Sequence, residues 1–408
     1  MEKIHPADRA ANDYLQQQRD VYQKGKHADV LVAVLFLVLI FGLLLLHVIL
    51  PDKEYSKREN KSLASFPEFS LSALLKEDGE KGAQKSLIAD YLEDQFPLRD
   101  QFMMLDGARQ FVLTFGQSNG VLSLKDGTLL PLDHTCKEEE PATYKVLLST
   151  IKAYEQSACF TGKYETVFAL AGRKSAFVSD LPADYPKSII KHNRTLAKSL
   201  LKDSGCTPLD LTTVFEQYAA EQLYYKSDHH WTSLGAYYAS AEILKQYGKE
   251  LAALDSFTKE IATEDFSGTA YNASGLYFLG GEKIEYFRYE GDEEYTVSLC
   301  NALGKVQKQR KGFYDLSALE EEHWGTAYDS FVSGVDTPIV RITKEGEERP
   351  TLLVIKDSFA HSALPFLAQE FDLITVDVRH KNFSLPNLLE EGEIDGILVL
   401  MSEETLLS

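Results

Sequence analysis

The stretch Tyr224–Gly235, YYKSDHHWTSLG, places Asp228, His229, His230 and Trp231 in a row, just ahead of a run with helical apolar spacing. If Ser227–Trp231 runs extended, side chains two apart share a face, so Asp228 and His230 fall together and His229 faces the other way. A carboxylate beside a histidine can accept its Nδ1–H, fix the tautomer and leave Nε2 free as a base. His230 also precedes a helix, whose N-terminal dipole disfavours imidazolium; Asp228 compensates. His229 reads as support for this pair. Trp231 reads as core, with a sugar-stacking role as the alternative.

A base needs a nucleophile. The stretch VIKDSFAHS sets Asp357 and Ser358 directly after an apolar run and at the start of a helical one. In an open parallel sheet the carboxyl ends of the strands are where ligands bind. There the backbone N–H groups of Ser358 and Phe359 can face a developing oxyanion. The competing reading is that Ser358 only caps the helix. The flanking glycines of a G-x-S-x-G elbow are absent. Asp228, His229 and His230 lack a matched distant ligand, so no metal is expected, and no cofactor is called for.

The elements that must hold these residues alternate strand and helix. TVFALAG (Thr166–Gly172) reads as a buried strand and Tyr185–Asp203 as a helix. Thr207–Leu211 reads as a short strand, Thr213–Tyr224 as a helix, and Thr232–Tyr247 as a helix with Thr232 or Ser233 available as N-cap. At the C-terminal end, Thr351–Ile355, Leu373–Val378 and Ile397–Leu400 read as strands, with a helix over about Phe359–Gln369. Near-continuous apolar strands alternating with helices imply a parallel sheet covered on both faces. Upstream, Gln84–Leu105 carries two helical runs, Val121–Leu132 reads as a hairpin around Gly127, and Ala142–Ala158 as a helix.

SDHHWTSLGAYYA followed much later by LLVIKDSFAHSALPFL resembles the bacterial DHHW family, with ITVDVRH as a further point of similarity. This family is a branch of the SGNH-hydrolase-like proteins, related to the alginate O-acetylation proteins AlgJ and AlgX. The similarity covers roughly residues 60 to 405. It implies a three-layer αβα, flavodoxin-like domain in which Ser358 is the nucleophile, His230 the base and Asp228 its orienter. It further implies an O-acyltransferase or esterase acting on cell-surface polysaccharide outside the cytoplasm, supplied by a multipass membrane O-acyltransferase. Gly172 and Lys174 are the candidates it offers for the oxyanion or substrate region, and Asp357 for a supporting role. The chain departs from the family's Gly-Asp-Ser pattern in having Lys356 where the glycine stands. The rival from another class is a non-catalytic scaffold or glycan-binding component of a cell-envelope assembly. Arg379, after a strand end, is a candidate for binding an anionic sugar or for pairing with Asp377.

The 408 residues, 44% hydrophobic and 25% charged, are enough for a large globular domain. A formal net charge of -20 leaves no electrostatic footprint for nucleic acid. Val30–Leu50 holds no formally charged side chain and is long enough to cross a bilayer. Its apolar run exceeds that of a signal peptide and lacks a small-x-small cleavage site. Basic residues flank it on both sides (Arg19, Lys24 and Lys26 before, Lys53, Lys57, Arg58 and Lys61 after), so local charge does not set its orientation. The expected organisation is a cytoplasmic tail (1–29), an anchor (30–50), a membrane-proximal stalk (51–80) and an extracytoplasmic domain (81–408), with an irregular β-rich insertion at 266–345. Cys136, Cys159, Cys206 and Cys300 form no CxxC pair. A Cys136–Cys159 disulfide and four free thiols both fit the sequence.

Overall fold

The computed structural model describes residues 6–56, 58–59, 61–68, 81–132, 135–178, 181–183, 185–320, 326–332, 337–346, 348–380 and 389–408. Parts of the expected tail (1–5), stalk (57, 60 and 69–80) and insertion (321–325 and 333–336) lie outside the described residues. Two compact units are present: Met1–Tyr55 with Ser62–Gln101, and Ser56–Lys61 with Phe102–Ser408.

In the first unit, helix α1 spans Pro6–Ile49. Its segment Asp29–Ile49 has a mean hydropathy of 3.1 and buries none of its residues within the protein. A helix of this length and apolarity is consistent with a single membrane span. Helix α2 (Lys81–Asp94) belongs to the same unit. Its Tyr91 hydroxyl donates to Asp52 at 3.0 Å, and the following Gln95 side chain exchanges hydrogen bonds with the Lys53 backbone.

The second unit is built around one eight-stranded sheet. Its strands are β1 (Val167–Ala171), β2 (Thr207–Asp210), β3 (Thr296–Cys300), β4 (Val306–Lys311), β5 (Ile339–Thr343), β6 (Thr351–Lys356), β7 (Asp372–Asp377) and β8 (Gly396–Ser402), in the spatial order β4-β3-β5-β7-β6-β8-β1-β2. From β7 to β2 all pairings are parallel; β5, β3 and β4 extend that half antiparallel. Three strands of the 266–345 stretch therefore belong to the main sheet.

The period of two along each strand sorts the core into two layers. On one face Val167, Ala169, Leu352, Val354, Leu398 and Leu400 pack against the helix Ser233–Gln246 and against Phe366 and Leu367. On the other, Phe168, Leu170, Leu353, Ile355, Ile397 and Val399 pack against the helices Ala142–Glu155 and Lys187–Asp203. The result is the three-layer αβα arrangement. The hairpin forms as Val121–Ser123 against Leu129–Pro131, with Gly127 at φ +85° supplying the left-handed turn residue.

Two helices differ from their sequence reading. The expected helix Phe359–Gln369 is a 3-10 turn over Ser358–Ala360 and a short helix over Leu364–Leu367. Pro365 has no N–H and cannot continue a preceding helix, but it suits the first turn of a new one. The expected helix Thr213–Tyr224 instead starts at Leu211, capped by the Asp210 carboxylate on the Thr212 N–H, and closes in a 3-10 turn at Tyr218. Beyond it, Leu223 and Tyr224 turn inward to pair with Thr232 and Trp231. All four cysteines are free.

Candidate active site

The residues Tyr225–His230 form a tight loop closed by the Tyr225 N–H on the His230 carbonyl at 3.1 Å and by the Tyr224–Trp231 bridge. Its interior is bent, not extended. The cause is Asp228, whose Oδ1 accepts the backbone N–H of His230 at 2.8 Å, an Asx turn. The same Oδ1 receives the His230 Nδ1–H at 2.5 Å. Asp228 and His230 thus meet as alternation expected, but through a turn, and His229 is not on an opposite face. Its ring lies 3.9 Å from that of His230, and its Nδ1 pairs with the Thr269 hydroxyl at 2.7 Å.

His230 Nε2 lies 2.8 Å from Ser358 Oγ. All three side chains are nearly enclosed, with Asp228 only 1% exposed, His230 5% and Ser358 8%. The other oxygen of Asp228 accepts the Thr269 N–H at 2.7 Å. Burial opposes charge on Asp228, yet His230, His229 and these hydrogen bonds outweigh it and hold the carboxyl well below the ordinary carboxylate value. Burial, then the neighbouring His230, pushes His229 below the ordinary histidine value.

Ser358 stands directly beyond the carboxyl end of β6. Asp357 turns the chain there: its Oδ1 accepts the Phe359 N–H at 3.0 Å, and its Oδ2 accepts the N–H and hydroxyl of Ser402, at the end of neighbouring β8, at 2.8 and 2.7 Å. The Phe359 N–H is therefore taken by Asp357, and of the two expected oxyanion donors the Ser358 N–H is the one at the open start of the turn. Tyr328, which no sequence motif singles out, stacks its ring on His230 at 4.0 Å and 10°. Its hydroxyl bonds to Ser362 Oγ at 3.1 Å and to the Ser358 carbonyl at 3.3 Å.

The remaining candidates have other tasks. Trp231 is fully buried and donates its indole N–H to Ser362 at 2.9 Å, so it is core and not a sugar platform. Arg379 forks onto Asp377, with bonds of 2.9 and 2.6 Å. Asp377 also takes the buried Lys356 ammonium at 2.9 Å, and Lys356 reaches His361 Nε2 at 2.6 Å. Lys356 thus spans the distance that a glycine would leave open, beneath the Ser358 turn. A Cβ on Gly172 would meet Thr212 Oγ1 at 2.1 Å, so that glycine answers to close packing. The Lys174 ammonium donates to backbone carbonyls of the Tyr225–His230 loop. Gly172, Lys174, Ser175, His229, Phe359 and Glu404 line a small cleft.

The donor atoms of Asp228, His229 and His230 lie within 4.8 Å of one another. Each is already bonded, however: Asp228 to His230 and Thr269, His229 to Thr269, and His230 to Asp228 and Ser358. That set suits a proton relay better than metal ligation.

A three-layer αβα domain with this residue set at the carboxyl ends of its parallel strands has the SGNH-like fold. The family model described as DHHW protein matches residues 205–377, which include both Asp228–Trp231 and Ser358, and the resemblance of the chain to the DHHW family holds over that segment. Among solved structures, a DHHW family protein from Eubacterium siraeum DSM 15702 is similar at 20% identity and a TM-score of 0.59, covering 72% of this chain and 93% of its own. Bacillus cereus PatB1 with a sulfonyl adduct is similar at 23% identity and a TM-score of 0.52, covering 70% of this chain and 97% of its own. No curated protein matches the chain.

Proposed function

We propose that the chain is an SGNH-like O-acyltransferase or esterase that acts on cell-surface polysaccharide from a membrane-anchored position. The observation that carries this is the Ser358–His230–Asp228 relay, with its 2.8 and 2.5 Å links at the ligand-binding end of the sheet. Ser358 Oγ attacks the acyl carbonyl carbon while His230 Nε2 takes the hydroxyl proton. Asp228 stays ionised and holds the imidazole through Nδ1. The bond to the leaving group breaks, His230 protonates that group, and an acyl ester on Ser358 remains. A sugar hydroxyl or water then attacks, His230 takes its proton, and that proton returns to Ser358 Oγ. The Ser358 N–H faces the developing oxyanion. In this reading the acyl group arrives from a multipass membrane O-acyltransferase.

Two facts support it beyond the relay. The solved PatB1 structure bears a sulfonyl adduct, a modification that a nucleophilic hydroxyl forms readily. The cleft beside His229, lined by Gly172, Lys174, Ser175, Phe359 and Glu404, sets polar groups next to the relay. The test uses the purified full chain in detergent with p-nitrophenyl acetate and a serine-reactive sulfonyl fluoride. Turnover and a covalent mark on Ser358 are expected, and both are lost in Ser358→Ala and His230→Ala. Turnover surviving both substitutions sinks the relay.

A further inference from the structure

Lys174 lies in the 3-10 turn Lys174–Phe177, which follows β1, and it is 8% exposed. Its Nζ donates to the carbonyls of Tyr225 at 2.9 Å, Lys226 at 2.9 Å and Asp228 at 2.7 Å. An ammonium has three protons, and here all three end on one loop. Three carbonyls turned inward on a buried centre repel one another unless a cation sits among them. Glu282 completes the arrangement from outside, accepting the N–H groups of Lys226 and Ser227 at 2.9 and 2.6 Å and the Ser227 hydroxyl at 2.5 Å. The loop is thereby held by a cation within and a carboxylate without, and it carries both Asp228 and His230.

We propose that Lys174 is a positioning residue: an internal cation in a carbonyl cradle that holds the Tyr225–His230 loop in register with Ser358. This rests on the reading of Ser358 as nucleophile and His230 as base. Burial pushes Lys174 down to about 8, against the pull of Asp228, Glu282, Asp126 and Glu404, which face it from the loop, the Glu282–Arg288 strand, the hairpin and the C-terminal turn. Arg173, next to it in the chain, and Lys226, on the loop it holds, are its basic neighbours. A neutral amine offers two protons to three carbonyls, so the cradle loosens as pH rises through that value.

The experiment follows p-nitrophenyl acetate turnover and sulfonyl fluoride labelling of Ser358 in the full chain. Lys174→Ala should lower kcat by at least about 10-fold with KM changed less than about 2-fold, because orientation and not ground-state binding is lost. Ammonium or methylammonium, small enough to enter the vacated cradle, should restore part of kcat; tetramethylammonium, with no N–H, should not. Wild-type labelling should slow above pH 8, and Lys174→Arg, which keeps its charge there, should remove that alkaline decline. This last pair needs no alanine variant to fold. Wild-type kcat in Lys174→Ala while Ser358→Ala is inactive overturns the proposal alone, as does labelling flat through the alkaline range. Wild-type turnover in Ser358→Ala overturns the nucleophile reading and this proposal with it.

Discussion

Asp228 accepts three hydrogen bonds, from the His230 ring, the His230 backbone and the Thr269 backbone. Asp228→Asn leaves the volume intact but turns an acceptor-only group into one with an NH₂ that must face a donor. The expected outcome is a folded protein whose kcat falls by roughly 10³–10⁴, through loss of the required His230 tautomer. Thermal melting and turnover measured together check it; a loss below about 10-fold would show that Asp228 does not orient the base. Tyr328 separates packing from hydrogen bonding. Tyr328→Phe keeps the ring stacked on His230 and loses only the hydroxyl's bonds, so it should cost about 1 kcal/mol of stability and less than about 10-fold in kcat. Tyr328→Ala also removes the stacked ring and should cost about 3–5 kcal/mol, read from denaturant unfolding. At this scale the sequence carried the pairing of Asp228 with His230 and the meeting of that pair with Ser358. It hid the partners that are backbone atoms: nothing in a residue's type shows that Lys174 serves carbonyls, or that Thr269 offers an N–H.

The elements that hold the site share one device. β2 ends at Asp210, Asp357 follows β6, β7 ends at Asp377, and each carboxylate accepts the N–H two residues on, at 3.1, 3.0 and 3.0 Å. Asp228 does the same inside its loop. An Asp at the end of an apolar run is thus the sequence signal for a chain reversal at the ligand-binding end of this sheet. That signal was present in TPLDL, VIKDSF and ITVDVR, and a reading by helical period alone placed the following helices too late or made them too long. The strands were legible because parallel strands buried on both faces read as apolar runs. The stretch FSGTAYNASG (Phe266–Gly275) shows its task only in space. A Cβ on Gly268 would meet Asp228 Cβ at 2.3 Å, so the glycine lets this segment lie against Asp228 and deliver the Thr269 N–H. Gly268→Ala should therefore destabilise by about 1–3 kcal/mol and lower kcat together, as Asp228 is pushed from His230. Unfolding free energy and turnover measured on one preparation check it; an Ala variant with unchanged kcat would mean that the segment does not bear on Asp228.

Over the whole molecule, the two halves of the sheet meet at β7, parallel to β6 and antiparallel to β5. Asp377, at its end, sits between Arg379 and the fully buried Lys356. Burial opposes its charge, but the Arg379 hydrogen bond and the Lys356 charge hold it well below the ordinary carboxylate value. Asp377→Ala strands a buried ammonium and should cost about 3–5 kcal/mol, where Lys356→Met, which leaves Asp377 with Arg379, should cost much less. The eight strands and both helical layers fall within Phe102–Ser408, so none of the sheet depends on α1. Under the proposed function, the apolar segment and the relay are then separable. Removing residues 1–50 should shift the protein from the membrane fraction to the soluble one while kcat for p-nitrophenyl acetate stays within about 2-fold, because no group of the relay is touched. The apolar segment Asp29–Ile49 outruns a signal-peptide core of about 7–15 residues. Intact-mass analysis of the membrane-extracted chain should accordingly find the N-terminal residues still attached. A mature chain starting near Pro51 would instead make the segment a cleaved leader, and the proposed membrane-anchored position would have to be given up while the proposed relay at Ser358 stood.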